Sequence, residues 1–302
     1  MLMKDAFEVV LGPAEERYFG VGYRRASAQL EDVSVAFPEH AVTVVRATAT
    51  LRQWERVGAS RVAHLGTVDA ISIAGTVSSV AMIAAGLSPI GGEGELLSVA
   101  VRAGTVPESG MGGIPVEALL AVEDCTDDGL CHVGCRVGML RVDVVMRARE
   151  AHRSRPFASG PVDVETVLGK ASGRYFADGF RGFALFATSL DVGLAGGSCD
   201  FEIAPADARP GVIECLALTS QLAQAVLYGV AGVPRDRTGN LWMRRCIFSS
   251  VPDDVADHQA RLTVSKFSRF QRAGVDQVSA VVRISAFPGW RGEASLAFQV
   301  HG

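Results

Sequence analysis

The feature that most constrains this chain is that it repeats itself. Placing His64 over Arg209 lays His64-Leu65-Gly66-Thr67-Val68-Asp69-Ala70-Ile71 on Arg209-Pro210-Gly211-Val212-Ile213-Glu214-Cys215-Leu216. Gly66 then meets Gly211, and Asp69 meets Glu214. The same register, without a gap, brings Pro89 over Pro234, Gly94 over Gly239 and Leu96 over Leu241. It also keeps apolar positions in step: Val68 with Ile213, Ile71 with Leu216, Val77 with Leu222. A second pair precedes the first in each copy. Arg17-Tyr18-Phe19-Gly20-Val21-Gly22-Tyr23-Arg24 resembles Arg174-Tyr175-Phe176-Ala177-Asp178-Gly179-Phe180-Arg181. Its offset is larger, so the first copy carries a longer connection before its helix. Two ordered pairs indicate one structural unit used twice.

The course of each unit is legible. An aromatic motif leads, and alternating residues follow, as in Ala41 to Leu51. One long apolar helix comes next, over Val68 to Gly86 or Val212 to Gly229. Strands complete the unit, in the second copy at Leu241 to Ser249, Arg261 to Arg272, Val278 to Phe287 and a last one ending at Val300. A helix that is apolar nearly all round must be covered on several sides. A curved antiparallel sheet wrapped around a single helix does this, so the expected fold is α+β, a double hotdog. With 302 residues, 48% of them hydrophobic, the chain is long enough for two such cores. The polar stretch from Arg149 to Gly160, with Pro156, reads as the connection. This places one unit in 1–150, a linker in 151–160 and the second unit in 161–302.

Composition narrows the function classes. A net charge of -4 offers no basic footprint for nucleic acid. Basic charge is nearly all arginine, the lysines being Lys4, Lys170 and Lys266. Residues Met1 to Gly12 lack the charged and apolar regions of a signal peptide. Ile71 to Leu87, the longest apolar stretch, is broken by serines, threonine and glycines and reads as a buried helix, not a span. A cytoplasmic protein without a membrane partner is expected. Of six cysteines, Cys125, Cys131 and Cys135 cluster with His132. Their spacing lacks the paired C-x2-C pattern of zinc sites. Cys131, Val133, Cys135 and Val137 alternate on one face of a strand, so these cysteines read as small buried hydrophobes. No metal or redox cofactor is implied. No G-x-S-x-G elbow and no phosphate loop is present: Gly91-Gly92-Glu93-Gly94 and Gly110 to Gly113 read as turns.

Two resemblances follow from the motifs. His64-x4-Asp69 and Arg209-Pro210-x3-Glu214 resemble the segment that opens the central helix in double-hotdog dehydratases of polyketide synthesis. There a histidine-proline pair precedes an acid, with a glutamine or histidine one turn later, a place Gln221 fits. The chain departs from that pattern, because Arg209 stands where the second-half histidine is expected. More of the chain resembles the avirulence D family. Arg17-Tyr18-Phe19-Gly20 with Gly22-Tyr23, then His64 to Ile71, then Ser220-Gln221-Leu222-Ala223-Gln224, then Asn240-Leu241-Trp242-Met243-Arg244-Arg245 carry it in order. That resemblance implies a role in syringolide-type butenolide biosynthesis, by condensation of a β-ketoacyl thioester with a small sugar such as xylulose. It also implies functional similarity to the synthases of γ-butyrolactone signals. The acyl donor would then arrive on acyl carrier protein or coenzyme A.

The candidate residues fit such chemistry. A helix N-terminus offers unpaired N–H groups and a positive dipole end that polarise a thioester carbonyl. Gly66 and Gly211 let backbone approach the acyl group. Histidine as a residue type titrates near neutrality, so His64 is the preferred base for an acceptor hydroxyl, with Asp69 and Glu214 as its partners. Gln221, Trp242, Arg244 and Arg245 are candidate substrate contacts. Trp242 and Arg244 are expected on one strand face with Arg245 opposite, either arginine suiting a phosphate of phosphopantetheine. Plainer roles stand beside these. An acid in a first helical turn is favoured by the dipole alone, His64 suits a capping or surface role, and Gln221 suits a bond to neighbouring backbone. Aromatic packing accounts for Arg17, Tyr18, Arg174 and Tyr175. A dehydratase or thioesterase in the same fold, and a non-catalytic acyl-binding module, remain open. Two fused units already form the pair that single hotdogs obtain by dimerising, so both a monomer and a homodimer are compatible.

Overall fold

The computed structural model describes residues 5–38, 41–52, 64–88, 92–104, 110–126, 128–148, 157–206, 208–252 and 258–301. The expected linker residues 149–156 and the turn residues Pro89 and Gly91 lie outside them. The helices are α1 (Glu8–Leu11), α2 (Tyr23–Arg25), α3 (Thr67–Ala84), α4 (Val164–Leu168) and α5 (Val212–Ala231). The strands are β1 (Ser27–Ala36), β2 (Val42–Arg52), β3 (Glu95–Arg102), β4 (Ile114–Ala121), β5 (Leu130–Val137), β6 (Leu140–Arg147), β7 (Gly160–Pro161), β8 (Ala184–Ala187), β9 (Asp191–Gly193), β10 (Gly196–Ala204), β11 (Trp242–Ser250), β12 (Gln259–Arg272), β13 (Val275–Ala286) and β14 (Trp290–Val300).

The described residues gather into two compact units, one of them drawn from two separate stretches of the sequence. One holds those within Ala26–Gln53 and Val62–Phe180; the other holds those within Met1–Arg25 and Arg181–Gly302. In each, the aromatic motif that leads one copy of the repeat lies with the long helix of the other copy. The repeats and the compact units are therefore two different divisions of the chain.

In the first of these units, antiparallel strands run in the order β7-β1-β2-β4-β5-β6-β3. Alternation decides which face is covered. Val45, Ala47, Ala49 and Leu51 of β2 are buried, as are Ile114, Val116, Ala118 and Leu120 of β4 and Val142, Val144 and Met146 of β6. These rows enclose α3, in which every residue after Thr67 is buried. Helix α3 ends where Gly86 adopts a left-handed φ of 77°. The Leu87 N–H then returns to the Met82 carbonyl at 2.8 Å, satisfying an end carbonyl that the helix leaves open.

The other unit runs β11-β14-β13-β12-β10-β8, with β9 beside β10. Cys199, Phe201 and Ile203 of β10, Val278, Ala280, Val282 and Ile284 of β13, and Leu296 and Phe298 of β14 form its inner rows. Helix α5 lies against β10, β12 and β13, with seventeen of its residues buried. The chain is thus α+β and a double hotdog: each unit is an antiparallel sheet around one apolar helix. Both α3 and α5 are long and apolar enough to cross a membrane, but in the fold they are the buried core helices.

One expectation is corrected. Cys125 and Cys131 are not merely small hydrophobes: they form a disulfide, because the chain doubles back and sets them opposite each other across an antiparallel bridge with Cα atoms 4.1 Å apart. Cys135 is buried outside the disulfide, as the alternation suggested, and so are Cys199, Cys215 and Cys246.

Candidate active site

The two long helices begin alike. Gly66 precedes α3 in an extended conformation, and its N–H donates to Oδ2 of Asp69 at 3.0 Å. Gly211 does the same before α5, donating to Oε2 of Glu214 at 2.8 Å. Each acid closes a capping interaction that satisfies one N-terminal donor. The paired glycines and acids thus have a structural task in both units. Glu214 is fully buried and Asp69 nearly so. Next to Glu214 lies Tyr23, whose phenol is pushed up by burial first and by the Glu214 charge second. His64 stands half-buried just ahead of Gly66, whereas Arg209 at the matching place is exposed.

The aromatic motifs are alike in backbone to a fine level. Arg17 has φ -110° and ψ 131°; Arg174 has φ -107° and ψ 127°. Each N–H donates to an alanine carbonyl three residues earlier, at 3.1 Å in both cases (Ala14 and Ala171). Tyr18 and Phe19 meet edge to face with ring centroids 5.1 Å apart, Tyr175 and Phe176 at 5.0 Å. The likeness extends further back than the two motifs first compared. Leu11-Gly12-x-Ala14-x-x-Arg17 matches Leu168-Gly169-x-Ala171-x-x-Arg174, and Gly12 and Gly169 both end a short helix at positive φ, 77° and 80°.

Their surroundings differ. In the unit of α5, Arg17 is 1% exposed and its Nη2 pairs with Oδ2 of Asp5 at 2.5 Å. Its Nη1 donates to Oε1 of Gln221, and its Nε to the Pro13 carbonyl at 3.3 Å. The partner of Gln221 is therefore a guanidinium rather than nearby backbone. In the unit of α3, Ser72 Oγ donates to the Phe176 carbonyl at 2.5 Å, and the Phe176 N–H donates to Glu93 at 3.3 Å. The Phe176 ring lies over Gly75, where a Cβ would stand 2.5 Å from it. Glycine is required there so that the ring can reach the helix.

On β11 a bulge changes the expected faces. Trp242 opposes Ala297 and Met243 opposes Leu296, but Arg245 then opposes Ser295, leaving Arg244 as the inserted residue. Met243 faces the buried row with Leu296, and Trp242 and Arg245 share the outer face; both arginines are exposed. The placement of Trp242 and Arg244 together with Arg245 opposite is thus corrected. By compact unit, His64, Gly66 and Asp69 belong with α3, and Gly211, Glu214, Gln221, Trp242, Arg244 and Arg245 belong with α5.

Burial disfavours the thiolate at three of the cysteines. Burial pushes the Cys135 and Cys199 thiols up to about 12 and Cys215 well above its ordinary value. Among the described residues, no group of three or more His, Cys, Asp or Glu is arranged to hold a metal ion.

Residues 3–301 match the family described as Pseudomonas avirulence D protein (AvrD). No curated protein matches the chain. Among solved structures, the chain is similar to the dehydratase domain of the polyketide PpsC from Mycobacterium tuberculosis, at 12% identity and a TM-score of 0.43, covering 90% of this chain and 98% of that one. It is also similar to the 12:0-ACP thioesterase from Umbellularia californica, at 10% identity and a TM-score of 0.40, covering 84% and 96%. A third is the acyl-CoA thioesterase II TesB2 from Mycobacterium marinum, at 10% identity and a TM-score of 0.38, covering 89% and 95%. The hotdog assignment of this chain rests on its own strand orders and its two enclosed helices.

Proposed function

The chain belongs to the avirulence D protein family, and from that premise we propose that it is a synthase that transfers a β-ketoacyl group from a thioester to a hydroxyl of a small sugar or polyol such as xylulose. The product leads to a butenolide or γ-butyrolactone-type secondary metabolite. The observation that carries this reading is the start of α3, where a half-buried His64 stands just ahead of a helix N-terminus capped through Gly66 and Asp69. First-turn N–H groups have no acceptor within their helix and favour developing negative charge.

The chemistry follows from those parts. His64 takes the proton of the acceptor hydroxyl, and the oxygen attacks the thioester carbonyl. The tetrahedral oxyanion is stabilised by the N–H groups at the start of α3. Its collapse breaks the carbon–sulfur bond and releases the thiol, protonated from the imidazolium. Closure of the ring requires a carbon acid between two carbonyls to lose its proton, a task within the range of the same base. Asp69 holds the glycine that opens the helix. Glu214 and Gly211 make the equivalent arrangement in the unit of α5, where no histidine stands ahead of them. Half-buried Trp242 and exposed Arg244 and Arg245 are suited to the donor's carrier protein or phosphopantetheine arm. The donor is bound to acyl carrier protein or coenzyme A.

Incubation with a β-ketoacyl thioester and xylulose, with detection by mass, tests the proposal. An acyl-sugar ester or its cyclised product is expected. Release of free acid alone would instead indicate a thioesterase and sink the synthase reading. One observation favours a second reading, a non-catalytic acyl-binding module: Asp69 and Glu214 each devote an oxygen to a helix cap. Asp69→Asn keeps an acceptor for that cap while removing charge. If it and His64→Ala both leave product formation unchanged, the binding module is the better account.

A further inference from the structure

The matched motifs contain one group without a match. Arg174 is 8% exposed, and its Nε and Nη1 are sealed from solvent without a hydrogen-bond acceptor. Its twin, Arg17, in the same backbone conformation, has three acceptors. The reason is visible in the sequence around each. Gln221 of α5 corresponds in the repeat to Thr76 of α3, whose hydroxyl is committed to the Ser72 carbonyl at 3.0 Å. The carboxylate partner is missing as well. Asp163 occupies the place nearest to that of Asp5 ahead of the motif, but it is exposed and caps α4, accepting from Thr166 N at 2.8 Å and Thr166 Oγ1 at 2.6 Å. Asp163 feels the Arg174 charge only as the last-ranked of the influences on it.

A buried guanidinium with two nitrogens lacking acceptors is disfavoured unless something outside the chain completes them. In the twin, the completing groups are a carboxylate and an amide oxygen, so the complement is known from the molecule itself. We propose that Arg174 is the anchor of an oxyanion-binding site in the unit of α3, which takes a phosphate or carboxylate group of a small ligand where Asp5 serves Arg17. A guanidinium suits such a ligand because its planar fork meets two oxygens of a phosphate or carboxylate at once. The inference is independent of the transfer reaction, because it concerns binding of the anion alone. If that reaction does occur, two ligands carry the chemistry: the phosphates of a pantetheine-bearing donor, or a phosphorylated sugar acceptor.

Inorganic phosphate and acetate, titrated separately into the protein and followed by calorimetry and by melting temperature, test it. At least one should bind saturably and raise the melting temperature. Arg174→Met should weaken that binding about ten- to a hundredfold, in line with charge-assisted hydrogen bonds. Removing an unpaired buried charge does not endanger folding, so the variant remains measurable. Arg174→Lys, which keeps the charge without the fork, should fall between. Coenzyme A and a pentulose phosphate then distinguish the sources: whichever loses its protection in Arg174→Met carries the anion that Arg174 holds. Absence of saturable binding by both simple anions would overturn the proposal. So would binding that survives Arg174→Met and disappears in Arg245→Met.

Discussion

Arg17 and Arg174 begin the same motif, in the same backbone conformation, with the same aromatic pair behind them, yet one is closed by its own chain and the other is not. The comparison teaches where a duplicated fold diverges. Backbone geometry is held by local bonds that both copies keep, such as the Ala14 and Ala171 carbonyl contacts. Side-chain partners come from elsewhere in the unit, and these are free to change. The helix entrances diverge in the same way: the Gly–acid cap is kept, while His64 and Arg209 differ.

The largest expected difference between the copies is chemical. His64→Ala should lower product formation about a hundred- to ten-thousandfold, the usual range for a general base, while Arg209→Ala leaves it near the wild-type rate. Equal losses in a steady-state assay would erase the asymmetry between the helix entrances. Stability comes next. Asp5→Ala strands the buried Arg17 and should cost about 3–5 kcal/mol in urea denaturation, whereas Arg174→Met should leave the midpoint unchanged or raise it. A loss on Arg174→Met comparable to that of Asp5→Ala would show that Arg174 is already satisfied within the protein.

A packing contrast follows. Gly75→Ser copies the residue that α5 carries at the equivalent place, Ser220, and drives a Cβ into the Phe176 ring. It should cost about 1–3 kcal/mol, while Ser220→Gly costs under about 1 kcal/mol, the helix penalty alone. Matching thermal shifts for the two would mean that Phe176 moves aside. The smallest effect concerns Asp163. The Thr166 hydroxyl, followed by the Thr166 N–H, holds its carboxyl below 3.8. The folded value is thus below the unfolded one, so this contribution to stability is present above 3.8 and is lost as pH falls through the lowered value. Thr166→Val should raise the Asp163 value in a carboxyl NMR titration, and Arg174→Met should raise it less.

Much of the architecture was legible because it depends on continuous or alternating apolar character. Val68 to Gly86 and Val212 to Gly229 anticipate α3 and α5 closely, and Cys131 to Val137 anticipates the buried face of β5. Arg244 was assigned to the wrong face because a bulge adds a residue to the backbone without any required side chain. The Cys125–Cys131 bond was missed because it depends on where the chain reverses, not on spacing. The partners of Arg17 were hidden for a different reason. Gln221 lies 204 residues away, and the contact exists only once α5 and the leading segment share a unit. The signal for Arg174 was present in the extended match from Leu11 and Leu168, but its meaning required the twin's surroundings.

The discontiguous unit of α5 also bears on how the protein is made. A ribosome releases Asp5 and Arg17 well before the α5 that accepts Arg17, whose Gln221 lies 204 residues further on. The leading segment must therefore wait, with Phe7, Leu11 and Tyr23 still uncovered, until most of the chain has been synthesised. Contacts of such long sequence separation slow folding and prolong exposure to aggregation. Expression of either half alone would leave an apolar helix without the motif that covers it. Slowing translation ahead of α5, or supplying a chaperone that shields the segment from Asp5 to Arg25, should change the yield of soluble protein more than any single core substitution.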